Sequence, residues 1–372
     1  MQLRVLYWPP ENGSNVPKRI LISGGAGFVG RHLLCKLLRE RPAPEVIIID
    51  DLSTGASPEA WELWNARPCG ASDLYVIAEL SDTPFTFIRA NFAAVLGAEL
   101  GVSPSLGLPE LPVFDEVYHL ASIVGGRAVI EGKPLLVGMD LAIDSLFFLW
   151  AATVGKTRRI LYASSSAAYP ITMQQTDGFS YLTEQMIDFD KGFLAPDMTY
   201  GWSKLTGEYL ARMAVSKHGL TVGIVRPFSG YGEDQDPAYP VPAIALRAAA
   251  RQNPVRIWGS GLQGRDFVHI DDCIDGVIAA CRHLGDASAV NLGSGALTSF
   301  LDLARLMVRL EGYNAEVTGM DDRPIGVANR VSGGRLAQDL LGWAPKISLE
   351  DGMRRVICHA HRRLESGYQP ES

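Results

Sequence analysis

Residues 19–39 read RILISGGAGFVGRHLLCKLLR and decide the fold. The apolar run Ile20–Ile22 meets a cluster of glycines, after which apolar residues recur at helical spacing. This pattern predicts a strand, a tight turn and a helix whose first backbone amides face an anion. Many such turns are glycine-rich for packing alone, but the flanking strand and helix favour a dinucleotide, whose pyrophosphate can approach a backbone without Cβ atoms. The residues predicted to bind it here are Gly24, Gly27, Phe28, Val29 and Gly30.

The composition is that of an ordinary globular protein. Of the 372 residues, 47% are hydrophobic and 20% are charged, which is enough to bury a core in one large domain or two coupled ones. The formal charge of −7, without a long basic run, argues against a nucleic-acid partner. The five cysteines are scattered and form no CxxC pair, which favours reduced thiols in a cytoplasmic protein over disulfides or a metal site.

No segment of the sequence is predicted to cross a membrane. Residues 1–17 lack the basic and apolar regions of a secretory signal, and we interpret them as an extension before the first strand. The longest apolar run, Leu141–Ala152, is shorter than the roughly 18 residues that a span needs and is interrupted by Asp144. We therefore expect a soluble, cytoplasmic protein with no membrane partner.

The second predicted strand ends in an acidic residue. Glu45–Asp50 is an apolar run of the kind found in the middle of a parallel sheet. Asp50 lies 26 residues after Gly24, where a carboxylate can accept hydrogen bonds from the ribose of a dinucleotide and would repel a 2′-phosphate. Asp50 therefore predicts NAD rather than NADP. The alternative is that Asp50 and Asp51 only cap a loop.

Strands and helices then alternate along the chain. Further predicted elements are strands at Phe85–Arg89, Val113–Leu120 and Arg159–Ala163, a helix at 140–154, and a helix plus insertion within 53–84. This order predicts an α/β fold with a doubly wound (Rossmann) parallel sheet. We expect a dinucleotide-binding domain at 18–230, to which 268–296 returns, and a smaller α/β substrate-binding domain at 231–372.

Candidate catalytic residues follow the strand predicted at 159–163. Ser164–Ser166 lie just beyond it, and ligands of open α/β sheets bind at the carboxyl ends of strands. Tyr200 and Lys204, in YGWSK, lie one helical turn apart, and a nearby ammonium favours the phenolate that would make tyrosine a base. Taken alone, three serines are more often turn residues, and YxxxK occurs by chance. Their order after the glycine turn and Asp50 makes chance a poor explanation.

Together these motifs resemble the extended short-chain dehydrogenase/reductase family, which includes nucleotide-sugar epimerases and dehydratases. The resemblance covers roughly Lys18 to the C-terminus. Beyond the motifs above it includes HLAS (119–122), RPFSGYG (226–232), WGSGLQGRDFVHIDD (258–272), NLGSG (291–295) and LGWAP (341–345). It implies that NAD binds the N-terminal sheet and that a nucleotide-diphosphate sugar binds between this sheet and the C-terminal domain.

The resemblance also implies roles for individual residues. Tyr200 is the expected catalytic base, Lys204 holds the nicotinamide ribose, and Ser165 bonds the reacting sugar hydroxyl. Arg265 and Arg330 are expected to neutralise the diphosphate, because a planar guanidinium meets two phosphate oxygens at once; either arginine alone would be interpreted as a surface ion pair. The other cofactor-binding residues implied are Asn91 (near the adenine), Leu120, Ala121, Ser122 and Pro227. The other substrate-binding residues implied are Gly126, Arg127, Ser166 and Ser229.

Within the family, the sequence is most similar to GDP-mannose 3,5-epimerases and GDP-fucose synthases, yet it lacks their proton-transferring cysteine. Ala167 stands at the cysteine position, and the second proton-transferring position of those enzymes falls near Tyr239–Pro240. Neither alanine nor proline can move a proton. The sequence also departs from the family's usual asparagine at Asp140 and Ser229, and from its usual aspartate at Gly333.

The residues that remain are those that epimerisation at C4, through a transient 4-keto sugar, requires: Ser165, Tyr200 and Lys204 with NAD. Three alternatives stay open: a 3,5-epimerase-like enzyme, an oxidoreductase or dehydratase that forms a 4-keto sugar, and, more remotely, a non-enzymatic NAD-binding sensor. We expect a GDP- or UDP-sugar as the substrate and a homodimer as the assembly, as is usual in the family.

Overall fold

A computed structural model describes residues 17–64, 66–71, 76–80, 82–108, 110–125, 127–176, 179–192, 194–320 and 326–370. The strands are β1 (Arg19–Ser23), β2 (Glu45–Asp50), β3 (Arg67–Ala71), β4 (Val76–Leu80), β5 (Thr83–Arg89), β6 (Glu116–His119), β7 (Ile160–Ala163), β8 (Val222–Pro227), β9 (Ser229–Tyr231), β10 (Val255–Trp258), β11 (Gly264–His269), β12 (Asp286–Leu292), β13 (Leu297–Ser299), β14 (Val317–Met320) and β15 (Asn329–Arg330). The helices are α1 (Phe28–Leu37), α2 (Phe92–Glu99), α3 (Arg127–Gly132), α4 (Pro134–Val137), α5 (Asp140–Thr153), α6 (Met198–His218), α7 (Pro240–Ala249), α8 (Ile270–His283), α9 (Phe300–Leu310), α10 (Leu336–Leu341) and α11 (Leu349–Glu365).

One large sheet organises the N-terminal part of the chain. Its strand order is β12-β8-β7-β6-β1-β2-β5-β4-β3, and neighbouring strands from β12 through to β5 are all parallel. Ile20–Ile22 in β1 are completely buried, as expected for a strand covered on both faces. Residues of α1 and α8 share one apolar core with the sheet, and residues of α2, α5 and α6 share another. The predicted doubly wound α/β fold is confirmed.

The insertion between the second and third parallel strands forms a hairpin. Residues 58–60 make a 3₁₀ turn, and β3, β4 and β5 pair antiparallel at the edge of the sheet. Ala78 and Leu80 are buried while Glu79 between them is partly exposed, which is the two-residue period of a strand. Trp61 stacks on Phe85 with ring centroids 5.8 Å apart and covers this edge. The helix predicted within 53–84 is wrong for the described part of that segment.

Residues 134–153, which form α4 and α5, are long and apolar enough to cross a membrane by composition. In the fold, α5 packs against α2 and α6 and buries Phe147 and Trp150 in the core beside the sheet. It also buries Asp144, whose carboxylate is hydrogen-bonded to Tyr162 and His119. This helix is therefore a core element of the domain.

The C-terminal part adds smaller sheets and a separate core. β10 pairs with β14, and β11 pairs with β9, β13 and β15. Helices α7, α9 and α11 pack together around this second core. The chain then returns to the large sheet at β12, within the segment 268–296 that was expected to return. Helix α11 was missed from the sequence, although Met353, Val356 and Ala360 lie at helical spacing and are buried. The domain boundaries at 230/231 stay a prediction.

Candidate active site

The glycine turn between β1 and α1 is closely packed except at one position. Gly24 has a φ of +70°, which favours glycine, and a Cβ there would lie 2.7 Å from the Ala121 nitrogen. A Cβ at Gly30 would lie 2.5 Å from the Gly25 Cα. At Gly27 the nearest atom, a carbonyl oxygen, is at 3.4 Å, which is ordinary contact. Two of the three predicted glycines are thus required by the fold, and Gly27 leaves room beside the turn.

The N-terminus of α1 has the chemistry to hold a pyrophosphate. Gly27 is its N-cap and offers no side-chain acceptor, so the first amides of the helix are available to an anion. Val29 is 38% exposed on the first turn, and Phe28 packs edge-on against His32 at 5.1 Å between centroids. The open turn and uncapped helix therefore fit the NAD predicted to bind here.

Asp50 ties the end of β2 to the glycine turn. Its Oδ2 accepts the Ala26 N–H at 2.9 Å, and its Oδ1 accepts the Leu52 N–H at 2.8 Å. Burial raises the pKa of Asp50, and these two hydrogen bonds oppose the rise. The neighbouring Asp51 accepts a hydrogen bond from Asn91 Nδ2 at 3.1 Å. The loop-capping role is therefore present in the structure. Contact of Asp50 with ribose and of Asn91 with adenine stays a prediction.

The loop after β6 is held by Asp140, one of the residues that depart from the family pattern. Asp140 is 1% exposed; its Oδ2 accepts the Ser122 hydroxyl at 2.7 Å and its Oδ1 accepts the Ile123 N–H at 2.6 Å. Burial raises the pKa of the Asp140 carboxyl, while Lys204 is the largest influence that lowers it. Leu120 and Ala121 of the same loop lie beside the glycine turn, where the Leu120 N–H donates to the carbonyl of Ser23. The loop predicted to contact the cofactor is thus fixed by a buried carboxylate.

Ser165 caps the 3₁₀ turn that follows β7. Its Oγ accepts the Ala167 N–H at 3.1 Å, so the serine does have the turn role that was weighed against catalysis. The hydroxyl proton is not used in that bond and is available for donation. Helix α6 lies directly on this turn, because a Cβ at Gly201 would overlap the Ala167 carbonyl oxygen. Tyr200, the preceding residue, is therefore placed beside the Ser165 turn.

Tyr200 and Lys204 form the centre of the candidate site. Tyr200 lies in the first turn of α6 and is partly exposed, whereas Lys204, one turn later, is only 3% exposed. The Lys204 Nζ lies 5.7 Å from the centroid of the Tyr200 ring and 5.5 Å from that of Tyr162. Burial alone would lower the pKa of Lys204, but Tyr200, Asp144 and Asp140 outweigh it and raise that pKa. The ammonium therefore stays charged beside the phenol.

A buried polar chain connects this centre with the glycine turn. The Tyr162 hydroxyl donates to Asp144 Oδ2 at 2.6 Å, and Asp144 Oδ1 lies 3.0 Å from His119 Nε2. His119 Nδ1 lies 2.8 Å from the hydroxyl oxygen of Ser23, the residue that precedes Gly24. Sequence reasoning missed this chain, because its members come from four separate elements.

The two arginines expected to meet the diphosphate are neighbours. Arg265 in β11 and Arg330 in β15 are register partners on adjacent parallel strands. Arg330 donates to Gln174 and, at 2.7 Å, to Asp197 Oδ2, the N-cap residue of α6. Arg265 donates to the Gly264 carbonyl at 2.8 Å. The structure thus places the two arginines side by side on neighbouring strands and links Arg330 to the start of the helix that carries Tyr200.

For the other residues predicted to bind the cofactor or the substrate, the structure gives only their place in the fold. Pro227 ends β8 and Ser229 begins β9, both partly buried, whereas Ser166 is 4% exposed. Arg127 is the first residue of α3, and Gly126 lies outside the described residues.

Tyr239 is a further residue near the centre. Burial is the largest influence that raises the pKa of the Tyr239 phenol, to about 12, and the nearby Tyr200 is the second largest. A phenol therefore lies close to Tyr200 where only the neighbouring proline had been considered. The family resemblance had placed a proton-transferring position near Tyr239–Pro240, but only the proline was weighed there.

Comparisons with known proteins bear on the family and the fold of this chain. The family model described as "NAD dependent epimerase/dehydratase family" matches residues 109–293. A protein of Bacillus subtilis named uncharacterized UDP-glucose epimerase YtcB is 30% identical over 95% of this chain and 100% of its own length. GDP-mannose 3,5-epimerase 1 of Oryza sativa subsp. indica is 27% identical over 97% of this chain and 85% of its own length. The crystal structure of a Thermotoga maritima UDP-glucose 4-epimerase with UDP-glucose superposes with a TM-score of 0.74 at 22% identity, covering 93% of this chain and 99% of that one.

Proposed function

Because the chain belongs to the NAD dependent epimerase/dehydratase family, we propose that it is a nucleotide-sugar epimerase that inverts C4 through a transient 4-keto sugar. The observation that carries this proposal is the arrangement of Tyr200 and Lys204 beside the Ser165 turn, with only alanine at position 167. Ala167 is 3% exposed and offers no group that could move a proton at C3 or C5. Oxidation and reduction at a single carbon need no second acid or base.

In the proposed reaction, Tyr200 removes the proton of the sugar 4-hydroxyl, and the Ser165 hydroxyl orients that oxygen. NAD, which the glycine turn and Asp50 would hold, would supply the oxidation and the re-reduction at C4. The 4-keto sugar must turn over in the pocket between the two steps for the configuration at C4 to invert. Tyr200 then gives the proton back, so that no atom or electron is lost or gained over one turnover. The charged Lys204 stabilises the phenolate while the proton is away.

The proposed cofactor site consists of the open side of the glycine turn, the α1 amides, Asp50 and the loop at 120–122. Asp50 would accept the ribose hydroxyls, and the α1 amides would hold the pyrophosphate. Because each turnover regenerates the oxidised cofactor, we expect NAD to stay bound during purification. Much better binding of NADPH than of NAD to the apoprotein would contradict the role of Asp50.

The proposed substrate is a nucleotide-diphosphate sugar. The paired arginines Arg265 and Arg330 supply two positive charges for its diphosphate, beside the start of α6. Ser166, Ser229, Gly126 and Arg127 are proposed to contact the sugar or the phosphates. The nucleobase is proposed to be uracil or guanine, as in the named substrates of the relatives.

We also propose a homodimer, expected in the cytoplasm. α5 exposes Leu141 and Leu149, and α6 exposes Trp202 and Tyr209, each by between 38% and 48%. An apolar surface on two packed helices suits pairing with its own copy in a four-helix contact. Sedimentation equilibrium tests this assembly, and a Trp202→Glu variant should be monomeric.

The experiment that tests the reaction is incubation with UDP-, GDP-, dTDP- and CDP-sugars in deuterated water, followed by NMR of the products. Epimerisation at C4 by internal return of hydride incorporates no deuterium. Deuterium at C3 or C5 would instead support the second candidate, a 3,5-epimerase. The similarity to GDP-mannose 3,5-epimerase and the Tyr239 phenol near Tyr200 favour that candidate over the others.

A further inference from the structure

Two carboxylates are buried next to the catalytic lysine. Asp140 and Asp144 are each 1% exposed and lie one turn apart on α5, so that they share one face of that helix. Lys204 is 3% exposed on the neighbouring helix. Buried charges are tolerated only when opposite charges and hydrogen bonds compensate them. We therefore treat Asp140, Asp144 and Lys204 as one cluster of interacting charges, called this unit below.

The position of Asp144 relative to Lys204 follows from the contact between α5, β7 and α6. Gly207 lies three residues after Lys204, on the same face of α6, and a Cβ there would lie 2.6 Å from Asp144 Oδ2. The Tyr162 side chain bridges the two residues, since its ring faces the Lys204 ammonium while its hydroxyl donates to Asp144. Asp144 is thus held against the catalytic helix within about one turn of the lysine.

Asp140 is held with similar rigidity. The hydroxyl of Ser122 and the N–H of Ile123 both donate to it, at 2.7 and 2.6 Å. The mutual influence of Asp140 and Lys204 on each other's pKa agrees with this proximity. Asparagine would fill the same space and keep an acceptor oxygen but would carry no charge.

The charges around Lys204 do not cancel. The titratable groups that face this unit are Tyr200 and Glu208 of α6, Tyr162 of β7, His119 of β6, Arg226 of β8 and Tyr239 before α7. Glu208 is neutralised by Arg226 at 2.6 Å. Two carboxylates then face one ammonium, and the surplus negative charge opposes formation of a phenolate at Tyr200.

We propose that Asp140 and Asp144 are positioning residues that act as a paired counter-ion of Lys204, favouring its charged form and limiting how readily Tyr200 loses its proton. The proposal rests on the role of Tyr200 as the base. It implies that the two carboxylates restrain the base and that the positive charge of a bound, oxidised nicotinamide would oppose this restraint.

The test is a pH titration of Tyr200 in the NAD-loaded protein, followed by the near-ultraviolet absorbance of tyrosinate. Each background is compared with its own Tyr200→Phe version, so that the difference reports Tyr200 alone. In Asp140→Asn we expect the Tyr200 midpoint to fall by about one pH unit, which gives about tenfold more phenolate below the midpoint. Asp190→Asn is the matched control. Asp190 is an exposed carboxylate that pairs with Arg212 of α6, so removing its charge should leave the Tyr200 midpoint unchanged.

An unchanged or raised midpoint in Asp140→Asn, with the fold intact, would overturn the proposal and leave Asp140 a structural support of the 120–123 loop. Should this variant fail to fold, Asp144→Asn keeps one acceptor for Tyr162 or His119 and is expected to shift the midpoint in the same direction. The titration needs no sugar. A shifted midpoint without turnover of any nucleotide sugar would therefore refute the proposed reaction while supporting the counter-ion.

Discussion

Replacing Gly207 by alanine tests whether α6 lies where the structure places it. A Cβ at this position would overlap the Tyr162 hydroxyl and lie 2.6 Å from Asp144 Oδ2, where ordinary contact begins near 3.4 Å. The helix or the Tyr162–Asp144 pair must therefore move by about 1–1.5 Å to restore ordinary contact. Movement of the pair would weaken the bond between a buried hydroxyl and a buried carboxylate, whereas movement of the helix would displace Lys204.

The expected loss of stability follows from three contributions. Alanine favours a helix interior over glycine by about 1 kcal/mol, which stabilises the variant. Overpacking a core costs about 1–3 kcal/mol, and a buried polar group left without its partner costs about 1–3 kcal/mol more. The net change in the free energy of unfolding of Gly207→Ala is therefore a loss of about 3 kcal/mol. Displacement of Lys204 by a similar distance should also lower kcat by about 100-fold.

Guanidinium unfolding followed by circular dichroism measures this change. Gly132→Ala is the control, because Gly132 ends α3 and, among the described residues outside its own helix backbone and chain neighbours, no atom lies within 4 Å of its Cβ position. That control should be neutral or gain up to about 1 kcal/mol. If Gly207→Ala unfolded at the same denaturant concentration as Gly132→Ala and kept its turnover, α6 would not rest on the Tyr162–Asp144 pair, and the reasoning about the counter-ion would fail with it.

Three further outcomes are expected. Tyr200→Phe should abolish turnover and leave nucleotide binding, measured by calorimetry, nearly unchanged; retained turnover would remove Tyr200 as the base. Arg330→Ala should raise the KM for the nucleotide sugar at least about tenfold, because it removes a charge from the diphosphate and breaks the pair with Asp197, whereas the exposed Arg335→Ala should not. Burial alone would raise the pKa of Glu233, but hydrogen bonds from His269 and Arg355 lower it from 4.5 to about 2. The stability that the ionised Glu233 carboxylate contributes is therefore complete above pH 4.5 and is lost as the pH falls toward 2. The stability contributed is about 3 kcal/mol. The free energy of unfolding of Glu233→Gln, measured between pH 2 and 5, should not show this pH-dependent increase.

The sequence was sufficient for the fold and for the proximity of Tyr200 and Lys204, because both are encoded in local patterns. The strand-turn-helix at 19–39 is contiguous, and Tyr200 and Lys204 are four residues apart in one helix, so spacing alone relates them. The parallel order of the sheet follows from alternation of strands and helices. The insertion at 53–84 was harder, because its strands are short edge strands whose two-residue period extends over only a few positions.

The partners of the site residues were not readable, because they are distant in sequence. Asp197 lies 133 residues before Arg330, and Ser23 lies 96 residues before His119. No periodicity relates such pairs, and each residue alone has an ordinary surface or capping role. The departure at Asp140 was visible as a residue type. The proposed effect of Asp140 on Lys204 depends on the contact between α5 and α6, which no local pattern predicts.

The YGWSKLTG segment is constrained by packing as strongly as by chemistry. Gly201 allows α6 to touch the Ser165 turn, and Gly207 allows the same helix to touch the Tyr162–Asp144 pair. Tyr200 lies directly before the first of these contacts and Lys204 lies between the two, so both contacts fix the position of the helix that carries them. A side chain at either glycine would lift the helix from one of its two supports and tilt the base relative to the cofactor site. The glycines of this segment therefore set the geometry on which the proposed proton transfer depends, although neither is expected to contact the substrate.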